Sequence, residues 1–378
     1  MTSNKYKLGE LIRHEDRRNE DGLFAVADVK GISIQKHFIE TKADMKGVSL
    51  TPYKLVVPDS FVYVTITSRN GEKITLAHNN SANTYIVSSS YEVFSVERKD
   101  LLDSEYLFMF FNRPEFDRYA RFNSWGSARE AFSWEEMCDI DIALPPLEVQ
   151  QKYVNTYKAM IANQQCYERG LDDLKLTIDA QIDEIKNTAD RIHTGALLEE
   201  VDNRNTDGEI SNVQGININK QFMPSVANTN GVDLRKYKIV KNGQFAYSGM
   251  QTGRDECIRI ALYNGDDPII ISPAYTVMQD IKGAPILPEY IMMWFSRKES
   301  DRKGWFMSDG SIRSNLDLDR FYETEIPIPD SSVQKALVDL FSVYEMRKSI
   351  NDKLKNQIKS ICPVLIRGSL QDGGESCG

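Results

Sequence analysis

GISIQKHF (Gly31–Phe38) and GININKQF (Gly215–Phe222) are two versions of one segment, 184 residues apart. The same spacing, without a gap, carries Tyr53-Lys54 onto Tyr237-Lys238, Phe61 and Tyr63 onto Phe245 and Tyr247, and Tyr91 and Val93 onto Tyr275 and Val277. It carries Glu105-Tyr106 onto Glu289-Tyr290, Phe111 and Arg113 onto Phe295 and Arg297, and Gly126-Ser127-Ala128-Arg129 onto Gly310-Ser311-Ile312-Arg313. Pro145, Val149, Gln150 and Val154 meet Pro329, Val333, Gln334 and Val338. Upstream, with a two-residue shift, Gly9, Leu11, Asp16, Arg18 and Asn19 meet Gly195, Leu197, Asp202, Arg204 and Asn205. One register held from residue 31 to residue 154 is not a chance alignment, so the chain is a tandem duplication.

Each copy opens with a mixed region. VSLTPYKLVVPDSFVYVTITS and VDLRKYKIVKNGQFAYSG are rich in β-branched and aromatic residues, with Pro58-Asp59 and Asn242-Gly243 as turns. SEYLFMFFNR (Ser104–Arg113) and PEYIMMWFSR (Pro288–Arg297) have the apolar density of a buried helix. The reading is an α+β domain with a curved sheet.

Each copy then changes character. After IALPP (Ile142–Pro146) and IPIPD (Ile326–Asp330), prolines at a helix start, come long stretches patterned in heptads. Tyr153, Met160, Tyr167 and Leu174 share one seam position and Tyr157, Leu171, Ile178 and Ile185 the other, interrupted by Gln150, Gln164 and Gln181. In the second copy Leu337, Tyr344, Ile358 and Leu365 stand opposite Leu340, Leu354 and Ile361, interrupted by Arg347 and Asn351. Polar seam residues set register and partner choice at a cost in stability. Two such helices at duplicated positions are expected to pack on each other, antiparallel, as a spacer of roughly 60 Å. Gly170 is expected to weaken the first locally, and Pro363 to end the second early.

The totals bound the function. Charged residues at 27% and hydrophobic ones at 41% describe an ordinary globular chain. No apolar run reaches the roughly 20 residues of a membrane span and the N-terminus lacks a signal-peptide core, so a cytoplasmic location is expected. Five scattered cysteines and four histidines supply neither a disulfide framework nor a metal site. A net charge of −9 counts against a protein that coats DNA by charge alone. It leaves room for a reader with local basic faces. There is no NPPY-type tetrapeptide, glycine-rich methyl-donor loop or Walker A loop. Asp173-Leu174-Lys175 and Glu184-Ile185-Lys186 match half of a nuclease pattern but read as solvated helix faces. The chain is not expected to be an enzyme.

KLGEL (Lys7–Leu11), ALPPLEVQ (Ala143–Gln150), IPIPDSSVQ (Ile326–Gln334) and the GSAR and GSIR elements, in this order and duplicated, resemble the specificity (S) subunit of Type I restriction-modification systems. The second junction departs from the pattern at Asp330-Ser331-Ser332. The resemblance implies an α+β, pseudo-two-fold molecule with two target-recognition domains separated by two long antiparallel coiled-coil helices. The expected divisions are a first domain over 1–145, a first helix over 146–190, a second domain over 191–329, a second helix over 330–366 and a flexible tail over 367–378. It also implies a non-catalytic subunit that reads a bipartite double-stranded DNA sequence. Tyr153, Tyr157, Met160, Leu171, Leu174, Ile178, Leu337, Leu340, Tyr344, Leu354 and Ile358 would then form spacer helices that dock two adenine methyltransferase subunits. ATP-driven restriction subunits complete such an enzyme, and S-adenosylmethionine, ATP and Mg belong to the partners. Two other readings of the residues are a duplicated coiled-coil scaffold that does not touch DNA and a fragment of a fused restriction-methylation enzyme.

Base readout needs side chains offering two hydrogen bonds, on loops that a scaffold places in a groove. Arg69 and Asn70 in Thr67–Gly71, followed by Asn79 and Asn80, qualify in the first domain; Gln251, Thr252 and Arg254 qualify at the same repeat position in the second. Gly249 and Gly253 are expected to admit the duplex closely. Lys36, Lys220, Arg129 and Arg313 recur in both copies, which suits phosphate positioning or fold support better than base reading. On the phosphate reading, Lys220→Ala weakens binding to all sequences alike.

Overall fold

The computed structural model describes residues 4–67, 73–126, 129–227, 231–251, 257–308 and 314–375. They form two compact units, Met1–Glu168 with Ile350–Gly378, and Arg169–Ser349. Each unit takes one half of each long helix.

The first unit contains β1 (Asn4–Lys7), β2 (Ile12–Glu15), β3 (Lys30–Ile32), β4 (Phe38–Glu40), β5 (Lys54–Val56), β6 (Ser60–Val64), β7 (Leu76–His78), β8 (Tyr85–Val87) and β9 (Tyr91–Val96). Then follow α1 (Ser104–Phe111), α2 (Pro114–Phe122), α3 (Trp134–Cys138), β10 (Asp141–Leu144) and the start of α4 (Leu147–Thr188). Its main sheet is antiparallel, in the order β2-β9-β6-β7. Alternation along β6 and β9 sends Phe61, Tyr63, Phe94 and Val96 to one face, over Leu107, Phe111 and Phe132. Val62 and Val93 go to the other face, over Val56 and Val87 of the β5-β8 pair.

In the second unit are β11 (Arg191–His193), β12 (Leu198–Glu200), β13 (Val213–Ile216), β14 (Phe222–Pro224), β15 (Lys238–Val240), β16 (Phe245–Ser248), β17 (Met250–Gln251), β18 (Arg259–Leu262), β19 (Ile269–Ile271) and β20 (Thr276–Asp280). They are followed by α5 (Pro288–Phe295), α6 (Lys298–Met307), β21 (Ser314–Asn315), α7 (Leu318–Tyr322), β22 (Glu325–Pro327) and α8 (Ser331–Glu375). The sheet order β12-β20-β16-β18 repeats β2-β9-β6-β7 strand for strand. The duplication is thus a duplication of fold, α+β in each copy.

Within the first unit the start of α4 and the end of α8 run antiparallel: Lys152 pairs with Asp372 at 2.8 Å, and Gln164 donates to Asn351 Oδ1 at 2.9 Å. The buried Gln164–Asn351 pair is two of the seam interruptions bonded to each other. In the second unit Ile178, Ile182 and Ile185 of α4 and Leu337 of α8 pack into the domain core. The expected ending at Pro363 does not occur: α8 continues to Glu375. Proline removes one backbone donor, but Cys362, Leu365, Ile366 and Ser369 around it are buried in the first unit's core, and Tyr106 Oη lies 2.7 Å from Ser369 Oγ. Gly170, read as a weak point, has the Arg347 guanidinium 3.3 Å from where its Cβ would stand, so the missing side chain makes room for that seam arginine.

The domain–helix junction is clamped alike in both units. Gln150, wholly buried, donates to the carbonyls of Leu101 (2.8 Å) and Pro145 (2.9 Å) and accepts from Asp103 N (3.0 Å). Gln334 makes the equivalent three bonds to Pro285, Pro329 and Leu287, each at 2.9 Å. Among the described residues no helix is long and apolar enough to cross a membrane.

Candidate nucleic-acid interface

In each domain a strand leaving the main sheet pairs with the segment that follows the second domain helix. In the first, Ile66 bridges Ala131, Thr67 N donates to Glu130 O at 2.9 Å, and Phe132 N donates to Thr65 O at 2.8 Å. Trp125 also bridges Ala131. In the second, Met250 pairs with Asn315 and Gln251 with Ser314, and Leu316 N donates to Gly249 O at 2.8 Å. The repeat offset carries Ile66 onto Met250 and Ala131 onto Asn315, so this ribbon is one device built twice.

The ribbon pairs the described segments that flank candidates far apart in sequence. The stretch holding Arg69 and Asn70 leaves the strand paired with 130–132, next to Arg129; the stretch holding Thr252 and Arg254 leaves the strand paired with 314–315, next to Arg313. Arg69, Asn70, Thr252, Arg254 and Arg313 themselves lie outside the described residues, as does the Gln251 side chain. Arg129 is exposed. Gly126 in the first turn has φ +135°, and a Cβ there would stand 2.4 Å from Arg129 O, so the turn requires glycine. A Cβ on Gly249 would stand 2.3 Å from Leu316 O. That glycine admits the chain's own ribbon, not a duplex.

Asn79 and Asn80 separate. Asn80 is exposed, whereas Asn79 is buried and spent on the fold, donating to Val56 O (2.9 Å) and Asn83 O (2.8 Å) and accepting from Ser81. It cannot read a base without giving up these bonds.

Of the two roles open to Lys36 and Lys220, phosphate positioning and fold support, the described bonds are those of fold support. Each sits at positive φ, 63° and 60°, at a hairpin tip, with its side chain 5% exposed. Lys36 Nζ donates to Phe111 O (2.6 Å) and Asp117 Oδ1 (2.7 Å); Lys220 makes the same pair of bonds to Phe295 O and Asp301. The two aspartates in turn accept from Ile74 N and Ile258 N. Burial lowers both lysine pKa values against the pull of the aspartates. An ammonium held this way ties the distal hairpin to the domain helices, and at 5% exposure it is out of reach of a phosphate.

The spacer-helix positions point inward. Leu171, Ile178 and Leu337 are buried, and Tyr153, Tyr157, Met160, Leu174, Leu340, Tyr344, Leu354 and Ile358 are half-buried. Tyr153 and Tyr157 pack on the first unit's core, and Ile178, Leu337, Leu340 and Tyr344 pack in the second's. The apolar side chains that α4 and α8 leave to solvent are Leu176, Val343, Met346 and Val364.

A solved S subunit of a Type I restriction-modification system from M. genitalium superposes on this duplicated architecture. It aligns over 98% of this chain and 95% of its own, at 11% identity and a TM-score of 0.58. The chain has the S-subunit fold. A chain from a structure describing assembly and conformational transition of the type I R-M system aligns over 97% and 98% at 12% identity, with a TM-score of 0.48. The HsdS subunit from Thermoanaerobacter tengcongensis aligns over 99% and 96% at 13% identity, with a TM-score of 0.39. No protein-family model and no curated protein matches the chain. The role that the sequence did not show is that of the repeated clamps, Gln150 and Gln334. The available signal was that Gln150 and Gln334 are the same polar residue kept at the same place in both copies, just after the prolines of the helix junction.

Proposed function

We propose that the chain is a non-catalytic DNA-recognition subunit of a Type I restriction-modification complex, each domain reading one half of a bipartite target. The observation that carries this is the repeated ribbon. On an S-subunit fold, both domains pair the strand that precedes their divergent candidate loop with the segment that follows the shared GSAR or GSIR element. Arg69, Asn70 and Asn80 in one domain, and Gln251, Thr252 and Arg254 in the other, are the proposed base readers. Arg129 and Arg313 are the proposed phosphate contacts. The exposed apolar residues of α4 and α8, rather than the heptad seams, are the proposed docking surface for two adenine methyltransferase subunits. S-adenosylmethionine, ATP and Mg would be bound by those partners and by restriction subunits, and the complex would work in the cytoplasm.

The test is methylome sequencing of a host expressing the chain with its methyltransferase partner. A methylated, gapped, bipartite motif that vanishes when this gene is deleted is the expected result. An unchanged methylome, with the methyltransferase still bound to the chain, would favour a scaffold without DNA contact.

A further inference from the structure

The exposed faces of α2 and α6 hold a match that packing does not account for. Aligned by the repeat, PEFDRYARF and KESDRKGWF share Glu115/Glu299, Asp117/Asp301, Arg118/Arg302 and Phe122/Phe306. Asp117 and Asp301 are explained by the buried lysines. Phe122 and Phe306 are not explained by the core, being 77% and 88% exposed. A single exposed apolar side chain is ordinary. The same aromatic left in water at the same place in two copies, where most neighbours have changed, needs another reason.

Its surroundings point to a ligand. Arg118 and Arg302 lie one turn earlier on the same helix face and are exposed. Arg118 touches Glu115 at 3.6 Å, a surface pair too weak to hold it, and Arg302 makes no salt bridge with the described residues. Each phenylalanine stands at the end of its helix and leads straight into the ribbon. Phe122 is followed by Trp125, paired with Ala131, and Phe306 comes shortly before Ser314–Asn315, paired with Met250–Gln251. A cation and a bare ring on one face, close in sequence to the ribbon strands, fit a polyanion with stackable or apolar interior surfaces.

We infer that Phe122 and Phe306 are apolar wedges that press into the DNA groove beside the bases read by the ribbon loops, with Arg118 and Arg302 anchoring the adjacent phosphates. This rests on the DNA-recognition reading above and adds to it a contact that recognises shape and stacking rather than hydrogen-bond pattern.

The test uses the full chain and duplex DNA of random sequence, enriched by rounds of binding to the wild type and then measured by fluorescence anisotropy. Phe122→Ser and Phe306→Ser are each expected to weaken binding to the enriched duplexes about tenfold. The unfolding midpoint and the salt dependence should not move. Arg118→Ala and Arg302→Ala should each reduce the salt slope by about 0.9. Leu23→Ser, an exposed apolar side chain between β2 and β3, should change neither. Serine variants that bind the enriched duplexes as tightly as wild type overturn the inference, whether or not their self-association changes, and leave the DNA-recognition reading standing. A wild type that enriches no duplex at all removes that reading and the wedges with it.

Discussion

Replacing Lys220 by methionine separates a fold support from a phosphate contact in one experiment. The lysine side chain is 5% exposed and Asp301 20%, and the ammonium bonds both that carboxylate and the Phe295 carbonyl. Methionine keeps the length and the apolar stem but leaves Asp301 with Ile258 N–H, at 3.0 Å, as its described donor. Removing one partner of a buried pair costs about 3–5 kcal/mol. The remaining N–H and the partial exposure of Asp301 place this case at the lower end, about 3 kcal/mol. With a urea slope of about 2 kcal/mol per molar, the second unit's midpoint should fall by about 1.5 M. Hydrogen exchange read by mass spectrometry should show lost protection in 213–224 and 257–262 and none in the first unit's sheet. Lys220→Met combined with Asp301→Leu should cost at least 2 kcal/mol less than the two single changes added together, because no orphan charge is left. A midpoint shift below about 0.5 M, accompanied by a salt slope of DNA binding reduced by about 0.9, would refute the burial argument and restore the phosphate role.

Gln334→Leu should lower the second unit's stability by about 3 kcal/mol, from three buried hydrogen bonds at roughly 1 kcal/mol each. Gln334→Glu should not rescue it, since a carboxylate would face the Pro285 and Pro329 carbonyls; chemical denaturation of both variants decides. Burial pushes the His78 imidazole down, but the Asp59 hydrogen bond at 3.1 Å and the Glu105 charge 3.7 Å away outweigh it and raise its pKa. Its contribution to stability is therefore complete below about pH 6.5 and fades as the pH rises through the higher folded value. Replacing it with leucine, the residue that stands at the equivalent position 262, should cost more at pH 6 than at pH 9 in denaturation curves. Changing Gln164 and Asn351 together to leucine should be neutral or stabilising by about 1–2 kcal/mol in the melting of the first unit. If the polar pair fixes register, crosslinks between engineered cysteines flanking it should then form at more than one offset.

How far the sequence could be read depended on whether a residue's role is local or depends on the other end of the chain. Periodicity and the single repeat offset were local signals. They were enough for the α+β domains, the two long helices and the polar seam positions, because alternation and heptads reflect which side chains leave water. Pro363 misled because its local penalty is set against the burial of Cys362, Leu365 and Ile366 in a core whose other residues begin with Leu8. Lys36 and Lys220 were open to two readings in the sequence. A basic residue kept in both copies looks like a phosphate contact, and only the fold places Asp117 and Asp301 against it, 81 residues downstream in each case. Their hairpins sit at positive φ, which costs a non-glycine residue roughly 1 kcal/mol, and the buried ion pair is what holds the strained tip in place. Recurrence in a duplicated chain therefore marks scaffold as often as ligand contact, and burial tells the two apart. Asp117 and Asp301 recur and are committed to the lysines; Phe122 and Phe306 recur and remain in solvent. By that criterion the shared residues on α2 and α6 divide into those committed to the fold and those left in solvent for the proposed DNA contact.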